Sequence, residues 1–180
     1  VTITGAGTTT ITMTQVADAN YTAATATATL TVAKATPSVT FADVIKTYGD
    51  ADFALSATSS NTSAVTYTSS DPSVATVSGS TVTITGAGTT TITMSQVSDA
   101  NYLSATATAT LTVGKATPSV TFADVTKTYG DADFALSATS SNTSAVTYTS
   151  SDPSVATISG STVTITGAGT TTITMTQVAD

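Results

Sequence analysis

The sequence predicts an all-β protein built as a sandwich of sheets, and two patterns carry this prediction. From Ala24 to Val32 the residues alternate strictly between apolar side chains and threonine, which is the period of a strand with one buried and one solvated face. Turn signals rich in Gly, Ser, Asn and Asp separate further short alternating segments, and no segment has the 3.6-residue period of a helix. Many short strands with short connections favour antiparallel sheets packed face to face.

An internal repeat of 81 residues organises the chain. The heptapeptide Val-Thr-Ile-Thr-Gly-Ala-Gly begins at Val1, Val82 and Val163, and the overlapping copies are nearly identical. Without an initiator Met or a signal peptide, the chain is expected to be a segment of a longer array. The predicted domains are the C-terminal part of one repeat (1–33), a complete repeat (34–114) and the N-terminal part of a third (115–180).

Alternation and turn residues place seven or eight short strands in the complete repeat, in the following order. The predicted strands are 39–41, 44–48, 53–57, 65–67, 75–77, 82–84, 92–94 and 105–113, and a polar loop is predicted at 59–63. The large side chains expected in the core are Phe41, Phe53, Leu55, Val65, Tyr67, Val77, Ile84, Ile92, Met94, Leu111 and Val113. This strand number and spacing predict tandem immunoglobulin-like β-sandwiches of about seven strands each.

The segment Lys-Ala-Thr-Pro at 34–37, repeated at 115–118, is expected to link one sandwich to the next. Proline lacks a backbone donor and holds the residue before it in an extended geometry, so the preceding strand should end here without turning into a helix. We expect restricted bending at these short Pro-containing linkers.

Composition excludes several classes of function. The chain has no Cys and no His, and its 4 Lys are outnumbered by 11 Asp, for a net charge of −7. An acidic chain without Arg has no electrostatic surface for a phosphate backbone, so nucleic acid is not an expected partner. Disulfides and thiolate metal sites are excluded, and no apolar stretch is long enough for direct membrane insertion as a helix.

Several segments together carry a resemblance to a known family. They are Lys-Ala-Thr-Pro-Ser-Val-Thr-Phe at 34–41, Lys-Thr-Tyr-Gly-Asp at 46–50, Ser-Ser-Asp-Pro-Ser-Val-Ala-Thr-Val at 69–77, Val-Thr-Ile-Thr-Gly-Ala-Gly-Thr-Thr-Thr-Ile-Thr at 82–93 and Asp-Ala-Asn-Tyr at 99–102. The whole chain resembles the bacterial immunoglobulin-like (Big) repeats of large cell-surface adhesins, including gliding-motility adhesins. The resemblance implies export, attachment at the bacterial cell surface and a role as a stalk module.

Aspartates near the Gly49 and Gly130 turns are the candidate metal ligands. Calcium takes six to eight oxygen ligands, and an Asp-x-Asp pair beside a Gly turn could supply part of such a shell. The chain has no Glu for bidentate ligation, so solvated turn carboxylates are the competing interpretation. The candidate calcium ligands are Asp43, Asp50, Asp52, Asp124, Asp131 and Asp133.

Tyrosines could stack on a sugar, but a structural role is the favoured interpretation. Tyr21 and Tyr102 follow Asp-Ala-Asn and are expected to plug the sandwich, with the hydroxyl bonded to nearby backbone. Tyr48 and Tyr129, each close to a Lys, receive the same interpretation.

Threonine rows on the outer face of the strands leave an alternative function open. Alternate threonines of one strand lie about 6.8 Å apart, as in Thr-rich arrays that bind ice. Thr is also a good strand former with a water-compatible face, and the twist of a sandwich breaks flatness.

No catalytic function is predicted, because no Ser has a His base and Gly-Ala-Gly-Thr is a hairpin turn instead of a phosphate loop. Together with the resemblance to bacterial immunoglobulin-like repeats, which implies an extracellular location, this leads us to expect a non-catalytic spacer that projects an adhesive tip, with neighbouring repeats as its partners. The alternative is a repeat that itself binds surface polysaccharide, another adhesin chain or, through the Thr arrays, ice. Edge-to-edge pairing of strands into a filament is a further hypothesis.

Overall fold

The computed structural model describes all 180 residues, and every regular element in it is a β-strand. The all-β prediction is therefore confirmed. The chain forms two compact units, Val1–Ala116 and Thr117–Asp180. It contains no long apolar helix of the kind that could cross a membrane.

The first unit begins with a hairpin and continues into the strands of the repeat 34–114. Its strands are β1 (Gly7–Gln15), β2 (Ala24–Val32), β3 (Val39–Thr40), β4 (Val44–Thr47), β5 (Phe53–Ala54), β6 (Thr58–Ser59), β7 (Val65–Ser69), β8 (Ala75–Ser78), β9 (Thr81–Ile84), β10 (Gly88–Gln96) and β11 (Ala105–Gly114). Within the repeat, the sheets have the strand orders β4-β11-β10-β7, β5-β9-β8 and β3-β6.

The core of the first unit lies between the two larger sheets. Ile92 on β10 and Leu111 on β11 are each 1 % exposed, and they belong to one cluster with Val82 on β9. Side chains from the two sheets thus bury each other, which is the arrangement of a β-sandwich. Sequence reasoning missed Val74 and Val82 as core residues, although Val82 is completely buried.

The strand β11 has the face pattern that the sequence predicts. Its Ala, Leu and Val side chains are buried or half-buried, and Thr106, Thr108, Thr110 and Thr112 are exposed. Strand β10 pairs antiparallel with it, Ile92 opposite Ala109, and β4 pairs parallel with it on the other side, Val44 opposite Leu111. β11 is therefore the central strand that holds β4 in the sheet.

The single strand predicted at 53–57 is wrong. Phe53–Ala54 pairs with β9, whereas Thr58–Ser59 pairs with β3 in a different sheet. Leu55 lies between them, buried, and its N–H donates to the Ser80 carbonyl at 2.8 Å. The chain crosses from one sheet to the other in this segment, and local alternation cannot show such a crossing.

The polar loop predicted at 59–63 also needs correction. Ser59 belongs to β6, and Asn61 is only 3 % exposed. The Asn61 side-chain amide donates to the carbonyls of Val97 at 2.9 Å and Leu103 at 3.3 Å. These hydrogen bonds satisfy the buried amide, so Asn61 is a structural residue of the sandwich.

The second unit repeats the same plan over the residues it contains. Its strands are β12 (Val120–Phe122), β13 (Phe134–Ala135), β14 (Ala138–Ser140), β15 (Val146–Ser150), β16 (Ala156–Ser159), β17 (Thr162–Ile165) and β18 (Ile173–Gln177). They pair as β12-β14, β13-β17-β16 and β15-β18. A cluster around Leu136, Ala156 and Val163 forms its core.

Candidate inter-repeat junction

The linker 34–37 is tied to a loop of the repeat that follows it. Ala35 and Tyr102 form a parallel bridge, in which the Ala35 N–H donates to the Asn101 carbonyl at 2.8 Å and the Leu103 N–H donates to the Ala35 carbonyl at 2.9 Å. The Lys34 ammonium also donates to the Asp99 carbonyl. Pro37 is buried, so both ends of the linker are held.

The same loop reaches back to the turn that precedes β1. The Asn101 side-chain Oδ1 accepts the Ala6 N–H at 2.8 Å, a contact that joins residues 95 positions apart. A Cβ built on Gly5 would lie 3.0 Å from this oxygen, so the side chain approaches the turn closely. The segment 1–33 is thereby bonded to the repeat 34–114 through a side chain as well as through the linker.

Asp99 gives the loop 99–102 its shape. Its Oδ1 accepts the N–H groups of Tyr102 at 2.7 Å and Asn101 at 2.8 Å, an Asx-type turn. These hydrogen bonds, first that of Tyr102 and then that of Asn101, hold the pKa of Asp99 below its ordinary value of 3.8. The carboxylate is the form that stabilises the loop.

Two buried polar side chains support the base of this loop. Gln96, at the end of β10, is 4 % exposed, and its Nε2 donates to the carbonyls of Asn61 and Ser63. Asn61 in turn donates to the carbonyls on both sides of the loop, as described above. The ends of β10 and β11 are therefore held together where the junction loop leaves the sandwich.

The structure does not bring the predicted calcium ligands together. Asp43 Oδ1 accepts the Thr110 N–H at 2.7 Å, Asp50 Oδ2 accepts the Thr47 N–H at 2.9 Å, and Asp52 Oδ2 accepts the Thr83 hydroxyl at 2.9 Å. In the second unit, Asp131 and Asp133 bond in the same way to Thr128 and Thr164, and Asp124 has no such partner among the hydrogen bonds. No three carboxylates of the chain form a group that could hold a metal ion.

The tyrosine whose hydroxyl bonds to backbone is not the one the sequence suggests. The Ala57 N–H donates to the Tyr67 hydroxyl at 3.0 Å, and the Tyr67 ring lies 5.5 Å from the Phe41 ring. Tyr102 is half-buried at the junction and Tyr21 is 74 % exposed. The prediction that these two residues carry the hydroxyl bond is corrected, because the ring that faces the core belongs to β7.

Tyr48 and Tyr129 lie on the surface of their units, 51 % and 67 % exposed. Their neighbouring lysines stack elsewhere, since the Lys46 ammonium lies 4.9 Å from the centre of the Phe53 ring and Lys127 lies 5.1 Å from that of Phe134. These cation–π contacts stabilise the sandwich edge.

Threonines of three adjacent strands stand opposite each other on the outer face of the larger sheet. Thr93 on β10 is opposite Thr68 on β7 and Thr108 on β11. Thr91 on β10 is opposite Thr110 on β11. The outer face that β7, β10 and β11 form therefore presents hydroxyl and methyl groups, and these three strands have no charged side chains.

Sequence reasoning identified the linker but missed its partners, Asn101 and the turn at 5–7. The available signal was the recurrence of Asp-Ala-Asn-Tyr and Gly-Ala-Gly in each copy.

Comparison with models of known protein families finds no match to the chain, and comparison with curated proteins finds none either.

Proposed function

We propose that the chain is a segment of a non-catalytic stalk, made of tandem immunoglobulin-like sandwiches, in a bacterial cell-surface adhesin. Its role is to hold an adhesive tip away from the cell, as the resemblance to bacterial immunoglobulin-like repeats implies. Near-identical copies support this proposal, because they present the same surface at every period, which suits reach better than a unique site.

The observation that carries the proposal is the anchored linker. A free linker of four residues would let neighbouring sandwiches move relative to each other. Here both the N–H and the carbonyl of Ala35 form hydrogen bonds with the loop around 99–102 in the repeat that follows. These backbone hydrogen bonds hold the linker against that loop, so that fewer residues are free to bend at the joint. An array joined in this way behaves as a semi-rigid rod outside the cell.

Small-angle scattering on arrays of two, four and six complete repeats tests the rod. We expect the maximum dimension to increase by a nearly constant amount per added repeat, because every joint has the same restrained geometry. The control is the same arrays with Lys-Ala-Thr-Pro replaced by Gly-Ser-Gly-Ser in each linker, which should grow as a flexible coil, roughly with the square root of repeat number. Coil-like growth of the unmodified arrays would refute the stalk.

The second candidate function is binding by the repeats themselves, and the facing threonines favour it. Thr68, Thr93 and Thr108 form a row across three strands on an uncharged face, which could contact a surface polysaccharide, another adhesin chain or ice. A glycan array and an assay of ice recrystallisation distinguish the two functions. A spacer gives no signal above background in either, whereas a binding repeat gives a signal that is lost when Thr93 and Thr108 are changed to Lys.

A further inference from the structure

The Asn101 side chain makes a contact that the linker alone does not require. The backbone bridge at Ala35 already connects linker and loop. The bond from the Ala6 N–H to Asn101 Oδ1 reaches beyond the linker to a turn of the preceding repeat. This contact restrains the two repeats at a second point. A single point of attachment would let one repeat pivot on the other, whereas two points define the angle between them.

The loop is shaped before it meets the turn. The two N–H groups that Asp99 Oδ1 accepts are those of Asn101 and Tyr102, and Tyr102 is also bridged to Ala35. The backbone of Asn101 is therefore held on both sides, and little conformational freedom remains to be lost when its side chain bonds. On the other partner, the absence of a Cβ at Gly5 leaves room for the amide oxygen.

We infer that the Asp-Ala-Asn-Tyr loop is a binding surface for the Gly-Ala-Gly turn of the preceding repeat, and that this clasp sets the angle between consecutive repeats. The partner is thus a neighbouring copy of the same repeat. Both halves recur along the chain: the turn at 5–7, 86–88 and 167–169, and the loop at 18–21 and 99–102. The inference rests on the proposed stalk for its biological role, although the contact itself can be tested separately.

The chain contains its own matched controls. Asn20 has the same position in the loop 18–21 as Asn101 has in the loop 99–102. Its loop has the same shape, because Asp18 Oδ1 accepts the N–H groups of Asn20 and Tyr21 at 2.8 Å each. The printed sequence contains no turn at the position that Asn20 would contact. Ala87 lies in the same Gly-Ala-Gly context as Ala6, so the two amides have the same intrinsic rate of hydrogen exchange.

Amide hydrogen exchange of the whole 180-residue chain, followed by nuclear magnetic resonance, tests the clasp. We expect the Ala6 amide to exchange about two- to tenfold more slowly than the Ala87 amide, which is the range set by one neutral hydrogen bond. In Asn101→Ala the two rates should converge, and in Asn20→Ala the difference should persist. Equal rates in the unmodified chain, or an unchanged difference in Asn101→Ala, would overturn the inference.

The outcome is separable from that of the scattering experiment. Slow exchange at Ala6 combined with coil-like arrays would support the contact between the loop and the turn, and it would refute both the rigid stalk and the role of the clasp in setting the angle. Rod-like arrays combined with equal rates at Ala6 and Ala87 would support the stalk through the linker alone and refute the clasp.

Discussion

Aspartate side chains close several turns of this protein, and their hydrogen bonds depend on the charged form. In the Ser-Asp-Pro turns, Asp71 Oδ1 accepts the Ser73 hydroxyl at 2.7 Å and the Ser73 N–H at 2.9 Å, and Asp152 makes the same pair of bonds with Ser154. These bonds, the hydroxyl first, hold the pKa of Asp71 and of Asp152 below the ordinary value of 3.8. Asp18 and Asp99 are shifted the same way by backbone N–H groups.

Acid should destabilise the fold in a defined range of pH. Because the pKa of these four aspartates is lowered by folding, their contribution is fully present above pH 3.8 and is lost as the pH falls through the lowered values. We expect the melting temperature, measured by circular dichroism, to be nearly constant from neutral pH to about 5 and to fall below about 4. The double variant Ser73→Ala, Ser154→Ala should show a weaker acid dependence, and a melting temperature unchanged at pH 2.5 in the parent chain would contradict the prediction.

Gly86 is required by a close approach of backbone. A Cβ at this position would lie 2.5 Å from the Ser73 carbonyl oxygen, which belongs to the Ser-Asp-Pro turn. We expect Gly86→Ala to lower the free energy of unfolding by about 1–3 kcal/mol, because backbone must move to relieve the overlap. Denaturant unfolding monitored by circular dichroism measures the change.

Gly114→Ala is the matched control for that substitution. A Cβ at Gly114 would meet only the Lys46 carbonyl oxygen, at an ordinary 3.8 Å, and Ala33 already occupies the equivalent position of the preceding copy. This variant should unfold like the parent chain. Equal losses in both variants would show that the close approach at Ser73 is not the cause.

Among the elements, β11 supports the strands on both sides of it, and a comparison of the two units shows this. In the first unit, β4 pairs with β11 and Val44 is half-buried, whereas the counterpart residues 125–128 form no strand and Val125 is 51 % exposed. Strand β10 covers Gly88–Gln96, but its counterpart β18 covers only Ile173–Gln177. The second unit has no counterpart of β11 in the printed sequence, so these segments have no strand to pair with.

A synthetic peptide with the sequence of Ala105–Gly114 should complete the second unit. In the register of β10 and β11, Ile173 of β18 would stand opposite the peptide's fifth residue, as Ile92 stands opposite Ala109. We expect residues 125–128 and 169–172 to gain protection from amide hydrogen exchange when the peptide is added. The protein is kept dilute so that β2 of a second molecule, which has nearly the same sequence as the peptide, does not compete with the peptide for this site.

The control peptide has the Ala and Thr residues of its first six positions exchanged. This change keeps the composition and places hydroxyl groups on the core face, since neighbouring side chains of a strand point to opposite faces. It should give no protection. Protection by both peptides, or by neither, would contradict the assignment of β11 as the strand that completes each repeat.

At the scale of the whole molecule, the repeat explains why a few residue types are sufficient to build all of the sheets. Each copy needs one apolar face per strand, supplied by residues such as Ile92, Leu111 and Val82, and one hydroxyl face that keeps the surface soluble. Near-identity of neighbouring copies also allows strands to be exchanged during folding. Folding of one repeat at a time would limit such exchange.

Alternation along the chain was sufficient to predict the all-β class, most strands and the outward threonines, because successive side chains of a strand lie on opposite faces. The repeat was evident from the recurrence of the same heptapeptide every 81 residues. The linker could also be located from the sequence, since Pro37 acts on adjacent backbone. Tertiary structure alone decided where the chain crosses between sheets near Leu55 and that the amide of Asn61 is buried. It also decided that Asn101 meets Ala6 across 95 residues, because this contact forms only when the linker brings the turn of one repeat next to the loop of the repeat that follows.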